Sequence, residues 1–157
     1  MAHPLIFEGK HVLVTGGTGS LGSCMVRRLL AGTDGRPARV TVFSRDEAKQ
    51  HDLRLALRHG GSATDDVIYQ DAEEVVRFRV GDIRDHRSVR RALDGCDTLF
   101  HSAAYFTHWS TDRQRFYDVN VGGTRTTLQA ALDVGVDKVV YTSTNNAIGA
   151  YGGTPSD

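Results

Sequence analysis

Thr15-Gly16-Gly17-Thr18-Gly19-Ser20-Leu21-Gly22 follows a short branched apolar run, His11–Thr15 (HVLVT), and precedes a stretch with helical periodicity, Ser20–Ala31. A strand, a glycine turn and a helix in immediate succession predict a unit that presents backbone N–H groups to an anion. Each glycine has its own reason. Gly16 permits the tight turn leaving the strand, Gly19 lets a pyrophosphate come close to the backbone, and Gly22 allows tight packing of the helix. The N–H groups of Gly19, Ser20 and Leu21 lie at the positive end of the helix. Gly16, Thr18, Gly19, Ser20, Leu21 and Gly22 are therefore the expected contacts of a bound dinucleotide. The spacing is G-x-x-G-x-x-G.

Outward from that turn the chain alternates. Arg39–Phe43 (RVTVF) predicts a second strand, Asp46–His59 a helix stopped by Gly60-Gly61, and residues 62–75 a surface loop. Val76–Val80 alternates strictly, with Val76, Phe78 and Val80 on one face and Arg77 and Arg79 on the other, as a half-exposed edge strand does. His86–Leu93 reads as a short helix, Thr98–His101 as a strand, Asp112–Val134 as one long helix and Lys138–Thr142 as a last strand. Strands alternating with helices imply right-handed crossovers and a parallel sheet covered on both faces. The expected architecture is α/β: a Rossmann-type, doubly wound parallel sheet of about five strands in the order 3-2-1-4-5. That order places the arginine-bearing third strand at an edge, where its own pattern had already put it.

The residue closing the second strand ordinarily meets the adenosine ribose, an acid binding the 2′-hydroxyl and an arginine accommodating a 2′-phosphate. Here Ser44 stands in place of the acid and Arg45 follows, which favours NADP over NAD. Two alternatives stay open: Ser44 with Glu47 also forms a capping box, and Asp46 could reach a ribose hydroxyl. Asp82, after the third strand, could accept from an adenine amino group with Ile83 against the ring, or could cap the next helix. Ser102, Ala103 and Ala104 leave the fourth strand as small residues at the carboxyl end of the sheet, where ligands collect in such folds.

Lys and Arg total 19, matched by 19 Asp and Glu, so the net charge gives no reason to expect nucleic acid or an anionic membrane as a partner. Neither Cys24 nor Cys96 has a metal-ligand neighbour; both read as small buried thiols in a reducing compartment. No metal site, secretory signal or membrane span is expected, which suits a cytoplasmic protein.

Together TGGTGSLG (15–22), GDIRD (81–85), HSAAY (101–105), NVGGT (120–124) and VVYTST (139–144) resemble the extended short-chain dehydrogenase/reductase superfamily, the NAD(P)-dependent epimerase/dehydratase group. The marks occur in the family's order and cover nearly the whole chain. TVFSRDEAKQ with RFRVGDIRD is most similar to polysaccharide-biosynthesis dehydratases acting on nucleotide sugars. The stretch from His101 to Thr144 is closer to sugar epimerases and 3β-hydroxysteroid-dehydrogenase-like reductases. The resemblance implies an NAD(P)-dependent oxidoreductase or isomerase with a nucleotide-sugar or related alcohol substrate; a homo-oligomer is compatible with it. It also implies that Asn120, counted with the cofactor-binding residues, braces the active-site strand and that Thr144 hydrogen-bonds the substrate oxygen. The dehydratases look for Asp-Lys after this threonine; Asn145-Asn146 stand here and argue against 4,6-dehydration.

In that family the acid/base is a tyrosine whose phenol is acidified by a lysine four residues on. The fourth residues after Tyr69, Tyr105, Tyr117, Tyr141 and Tyr151 are Glu73, Trp109, Val121, Asn145 and Pro155, so no such pair is present. Tyr151 is the only tyrosine in the right stretch, and the glycines after it read as a turn. Residues 1–157 are expected to form one incomplete NAD(P)-binding domain, the amino-terminal piece of a longer enzyme, with no separate substrate domain. The competing expectations are a non-catalytic NADP-binding module and an inactive fragment.

Overall fold

The computed structural model describes residues 5–58, 72–107 and 112–144. Its strands are β1 (His11–Thr15), β2 (Arg39–Ser44), β3 (Val76–Val80), β4 (Thr98–His101) and β5 (Lys138–Tyr141). They form one parallel sheet in the order β3-β2-β1-β4-β5. This is the Rossmann-type doubly wound sheet expected from the alternation of elements.

The central strand shows why the sheet needs cover on both sides. Val12 and Val14 of β1 join Val26 and Leu29 of helix α1 (Ser20–Ala31) and Leu53 and Leu57 of α2 (Glu47–Arg58) in one apolar layer. Leu13, between the two valines, points the other way. It packs in a second layer with Val89 and Leu93 of α4 (His86–Leu93) and with Ala130. Successive side chains of a strand alternate between faces, so a strand apolar at every position must be buried twice. β3 differs: Val76 is buried, Arg77 and Arg79 are exposed, and Val80 lies open at its end.

Two boundaries and one burial depart from the sequence reading. Ala72–Val75, inside the expected loop, is a helical turn (α3) leading directly into β3; residues 59–71 lie outside the described residues. The capping box left open as an alternative role for Ser44 is not formed; the Ser44 hydroxyl accepts from the Asp46 N–H at 3.2 Å. Asp46 is the residue whose carboxylate accepts from the Lys49 N–H at 3.0 Å, and α2 starts one residue later at Glu47. Cys24, expected to be buried, is exposed on α1, whereas Cys96 is buried.

The long helix after β4 is not uniform. α5 (Arg113–Phe116) passes into a π-helical turn, Tyr117–Gly123, before α6 (Thr124–Val134). Gly123 sits against Ile83 so closely that a Cβ there would come within 2.6 Å of the Ile83 side chain. The wider turn aims Asn120 at the chain leaving β4, and π turns of this kind commonly mark functional regions. Among the described residues, no helix is long and apolar enough to cross a membrane.

Candidate dinucleotide site

β1 and β4 are neighbours whose connections leave on opposite sides, which opens a crevice at the carboxyl ends of the strands. A cleft of about 540 Å³ lies there, lined by Gly16, Thr18 and Gly19 from the turn, Ser44 and Arg45 from the end of β2, and Ser102–Ala104 after β4. Ile83 lines it as well. Nine of the expected contact residues thus converge on one cavity, of a size ordinary for a small-molecule site.

The turn is held by its own backbone. Gly16 has φ +69°, a left-handed conformation that L side chains rarely adopt, and a Cβ there would lie 2.8 Å from the Ala103 backbone. Its N–H donates to the Phe43 carbonyl at 2.9 Å, tying β1 to β2. Ser102 donates from its N–H and its hydroxyl to the Thr15 carbonyl, at 3.3 and 2.8 Å, tying β1 to β4. The wall of the cleft is therefore sutured across three strands.

Gly19 is the helix N-cap, with φ −78° and ψ 171° and no side-chain cap. Its N–H is not free as expected, because it donates to the Gly16 carbonyl at 2.9 Å. The N–H groups of Ser20 and Leu21, in the first turn, have no intrahelical acceptor by position and remain for a ligand. The Leu21 side chain is exposed, so its contribution is its backbone alone. Gly22 is buried, and a Cβ there would collide with the Gly16 carbonyl and lie 2.6 Å from the Gly17 Cα. That glycine closes the turn on the helix. The cradle fits a diphosphate on these grounds: room exists where the turn is bare, and the Ser20 and Leu21 N–H groups, without an intrahelical acceptor by position, follow directly on Gly19. Neither residue lines the cleft itself.

At the far end, Thr18 and Ser44 hydrogen-bond through their hydroxyls at 2.9 Å. Lys49, in the first part of α2, also lines the cleft, and so do Asp46, Phe43, Gly81 and Val119. Lys49 was missed by the sequence reading. The signal was present, since it lies four residues after Arg45 and a helix beginning at Glu47 brings it back to the same end of the sheet.

Asp82 does not cap the following helix; Asp85 does, accepting from the Arg87 N–H at 3.0 Å. The Asp82 carboxylate instead takes the Arg84 side chain at 2.7 to 3.2 Å and the Arg84 N–H at 2.9 Å, with Arg45 at 3.8 Å. Hydrogen bonding by the Arg84 guanidinium holds the Asp82 carboxyl below the usual carboxylate range, against the opposing effect of partial burial.

Asn120, expected among the cofactor contacts, does not line the cleft. Its side-chain oxygen accepts from the Tyr105 N–H at 2.7 Å and its amide donates to the Tyr105 carbonyl at 3.0 Å, so both ends of the side chain are engaged. It braces the segment after β4 from the π turn. The Tyr105 ring is held between Phe116, edge-on at 4.8 Å, and the Arg115 guanidinium at 4.6 Å. Replacing Asn120 by Ala removes two hydrogen bonds from a half-buried backbone. The expected cost is about 2 kcal/mol of unfolding free energy in a denaturant titration, at about 1 kcal/mol per bond. Thr144 is exposed, three residues beyond β5, and is not part of the cleft lining. Tyr151 lies outside the described residues.

Comparison with known proteins agrees with this fold. The profile of a family described as polysaccharide biosynthesis protein matches residues 12–154. The chain belongs to that family, within the NAD-dependent epimerase/dehydratase group of the short-chain dehydrogenase/reductases. It is 41% identical over 137 residues to sterol demethylase protein B of Methylococcus capsulatus, covering 87% of this chain and 35% of that protein. It is 33% identical over 149 residues to a UDP-glucose 4-epimerase of Rickettsia rickettsii, covering 91% and 39% respectively. Among solved structures, the dTDP-glucose 4,6-dehydratase DesIV of Streptomyces venezuelae, with NAD and TYD bound, superposes with a TM-score of 0.58 at 38% identity. That match covers 82% of this chain and 38% of DesIV. The chain thus spans well under half the length of each of these relatives.

Proposed function

We propose that this chain is the dinucleotide-holding part of a cytoplasmic NAD(P)-dependent epimerase, dehydratase or reductase acting on a nucleotide sugar or a related alcohol, with NADP preferred over NAD. The observation that carries the reading is the cleft at the carboxyl ends of β1, β2 and β4, where bare turn glycines at the start of helix α1 meet a serine and an arginine. A nicotinamide bound there supplies hydride transfer with a carbinol carbon of the substrate.

The chain's own residues divide the binding. Ser20 and Leu21 N–H groups take the diphosphate, and the Ser44 hydroxyl and the Arg45 guanidinium face a 2′-phosphate. Ile83 offers an apolar surface to the adenine. Ser102–Ala104 keep the opposite wall low enough for the ligand to lie across the sheet. The substrate classes named for the relatives, a UDP-sugar and a dTDP-sugar, support the nucleotide-sugar reading; the sterol demethylase protein supports keeping related alcohols in view.

Fluorescence titration with NADPH and NADH, side by side, tests this. NADPH is expected to bind the more tightly, and Arg45→Ala to erase most of that preference, about tenfold, since a charge-assisted contact contributes roughly 1.5 kcal/mol or more. Failure of both dinucleotides to bind sinks the proposal. A second reading is a non-catalytic NADP-binding module. It requires tight NADPH binding together with no turnover of any sugar nucleotide.

A further inference from the structure

The end of β2 and the end of β3 are clamped together beside the cleft. The Ser44 carbonyl accepts from the Gly81 N–H at 3.1 Å and from the Gln50 amide at 3.1 Å, and Gln50 donates also to the Arg79 carbonyl at 2.8 Å. Gln50 is buried, so this clamp is shielded from water. Its consequence is that Arg45, the residue after β2, and Asp82, just past Gly81, are held in register with an N–O separation of 3.8 Å. Arg45 lines the cleft; Asp82 does not. Asp82 is itself anchored by Arg84, whose guanidinium grips both carboxylate oxygens. The result is a row of three charges, Arg45–Asp82–Arg84, with a cation at the cleft and an anion fixed behind it.

We propose that Asp82 tunes the choice between NADP and NAD by acting through Arg45, as a fixed counter-ion that competes with a 2′-phosphate for the Arg45 guanidinium. The inference rests on the dinucleotide reading of the cleft. In the free protein the Arg45 charge is partly met by Asp82, so a phosphate gains less from it than from an unpaired guanidinium. Because Arg84 keeps the Asp82 carboxylate in place, the competition persists when Arg45 swings toward a ligand. Asp82 is a positioning residue here: the contact with the cofactor belongs to Arg45.

The test is a double-mutant cycle on the full chain, with dissociation constants for NADP⁺ and NAD⁺ measured by calorimetry in the wild type, Asp82→Asn, Arg45→Ala and the double variant. Asp82→Asn is expected to raise the NADP/NAD affinity ratio about three- to fivefold, the range of a half-exposed ion pair. Any contact of Asp82 with the adenine is common to both dinucleotides and cancels in the ratio. In the Arg45→Ala background the same substitution should leave the ratio unchanged. An unchanged ratio in Asp82→Asn overturns the inference while leaving the dinucleotide reading intact. A gain that survives in Arg45→Ala overturns it too, since Asp82 would then repel the phosphate directly. Absence of binding of both dinucleotides to a folded wild type removes the reading beneath it as well. Circular dichroism and melting temperature confirm that each variant is folded.

Discussion

Gly19→Val is expected to lower dinucleotide affinity by about a hundredfold or more while leaving the protein folded. The two halves of that result have separate causes. Gly19 is exposed, its φ of −78° and ψ of 171° suit a β-branched residue, and a Cβ there meets only the Gly16 carbonyl, at 3.2 Å. The helix loses no side-chain cap, because Gly19 provides none. Stability should fall by about 1 kcal/mol or less, the difference between glycine and an apolar residue at an N-cap. The ligand meets a different situation. Valine methyls over the mouth of α1 stand where a diphosphate must approach the Ser20 and Leu21 N–H groups. Two hydrogen bonds to a charged group, at roughly 1.5–3 kcal/mol each, account for a loss of that size. Gly22→Val is the contrasting variant: its side chain would be driven into the Gly16 and Gly17 backbone, so it should lose the fold, not merely the ligand. Calorimetric titration with NADPH, with a denaturation curve for each variant, reads both quantities. Wild-type affinity in Gly19→Val would mean that the diphosphate lies elsewhere.

That asymmetry between Gly19 and Gly22 was only half legible in the sequence. A triplet of glycines between a strand and a helix is visible as a pattern, but which glycine serves the ligand and which serves the turn depends on where the backbone folds back. A Cβ on Gly22 would meet the backbone of Gly16 and Gly17, and nothing in the spacing says so. The edge position of β3 was legible because its arginines alternate, whereas the middle of β1 is apolar toward both faces of the sheet. The π turn at Tyr117–Gly123 was not, since a seven-residue departure leaves the apolar period of the flanking helices nearly intact. Local capping followed the same lesson. Ser44 and Asp46 are both capable N-caps, and so are Asp82 and Asp85; side-chain partners decided each pair, a distant one for Ser44 and a neighbouring one for Asp82. Thr18 claims the Ser44 hydroxyl and Arg84 claims the Asp82 carboxylate, leaving Asp46 and Asp85 for the helices. Ser44 was thus turned toward the cleft by a partner 26 residues away, whereas Asp82 was diverted from the helix by a neighbour two residues on and stays outside the cleft lining.

A second large effect is expected from acid. His101, the last residue of β4, is fully buried, with Nδ1 2.6 Å from the Thr15 hydroxyl, Nε2 3.1 Å from the Thr124 hydroxyl and its ring stacked on Tyr141. Hydroxyls can donate or accept, so a neutral imidazole is satisfied at both nitrogens. No carboxylate is among these partners to compensate an added proton, and burial pushes the His101 pKa down from 6.5 to about 4. The unfolded chain takes up that proton near the ordinary value, the folded protein only near 4. Above about 6.5 both states are neutral and the residue adds no pH dependence. As the pH falls from 6.5 toward 4 the unfolded state binds the extra proton, and stability drops by about 3 kcal/mol in all. Asp82, Asp97 and Asp133 have carboxyls held below the ordinary value of 3.8, so their losses come at lower pH and leave this window to the histidine. Denaturant unfolding at pH 7, 6, 5 and 4.5 should show the decline in the wild type and a much flatter profile in His101→Gln, whatever that variant's absolute stability. Where His101→Gln is too unstable to measure, the imidazole proton resonances of the wild type should titrate near 4. Parallel profiles, or a His101 midpoint near 6.5, would show that the imidazole is not sealed between β1 and α6. The strands it joins carry Gly16 and Ser102, so the same protonation should loosen both walls of the cleft together and weaken dinucleotide binding over the same pH range.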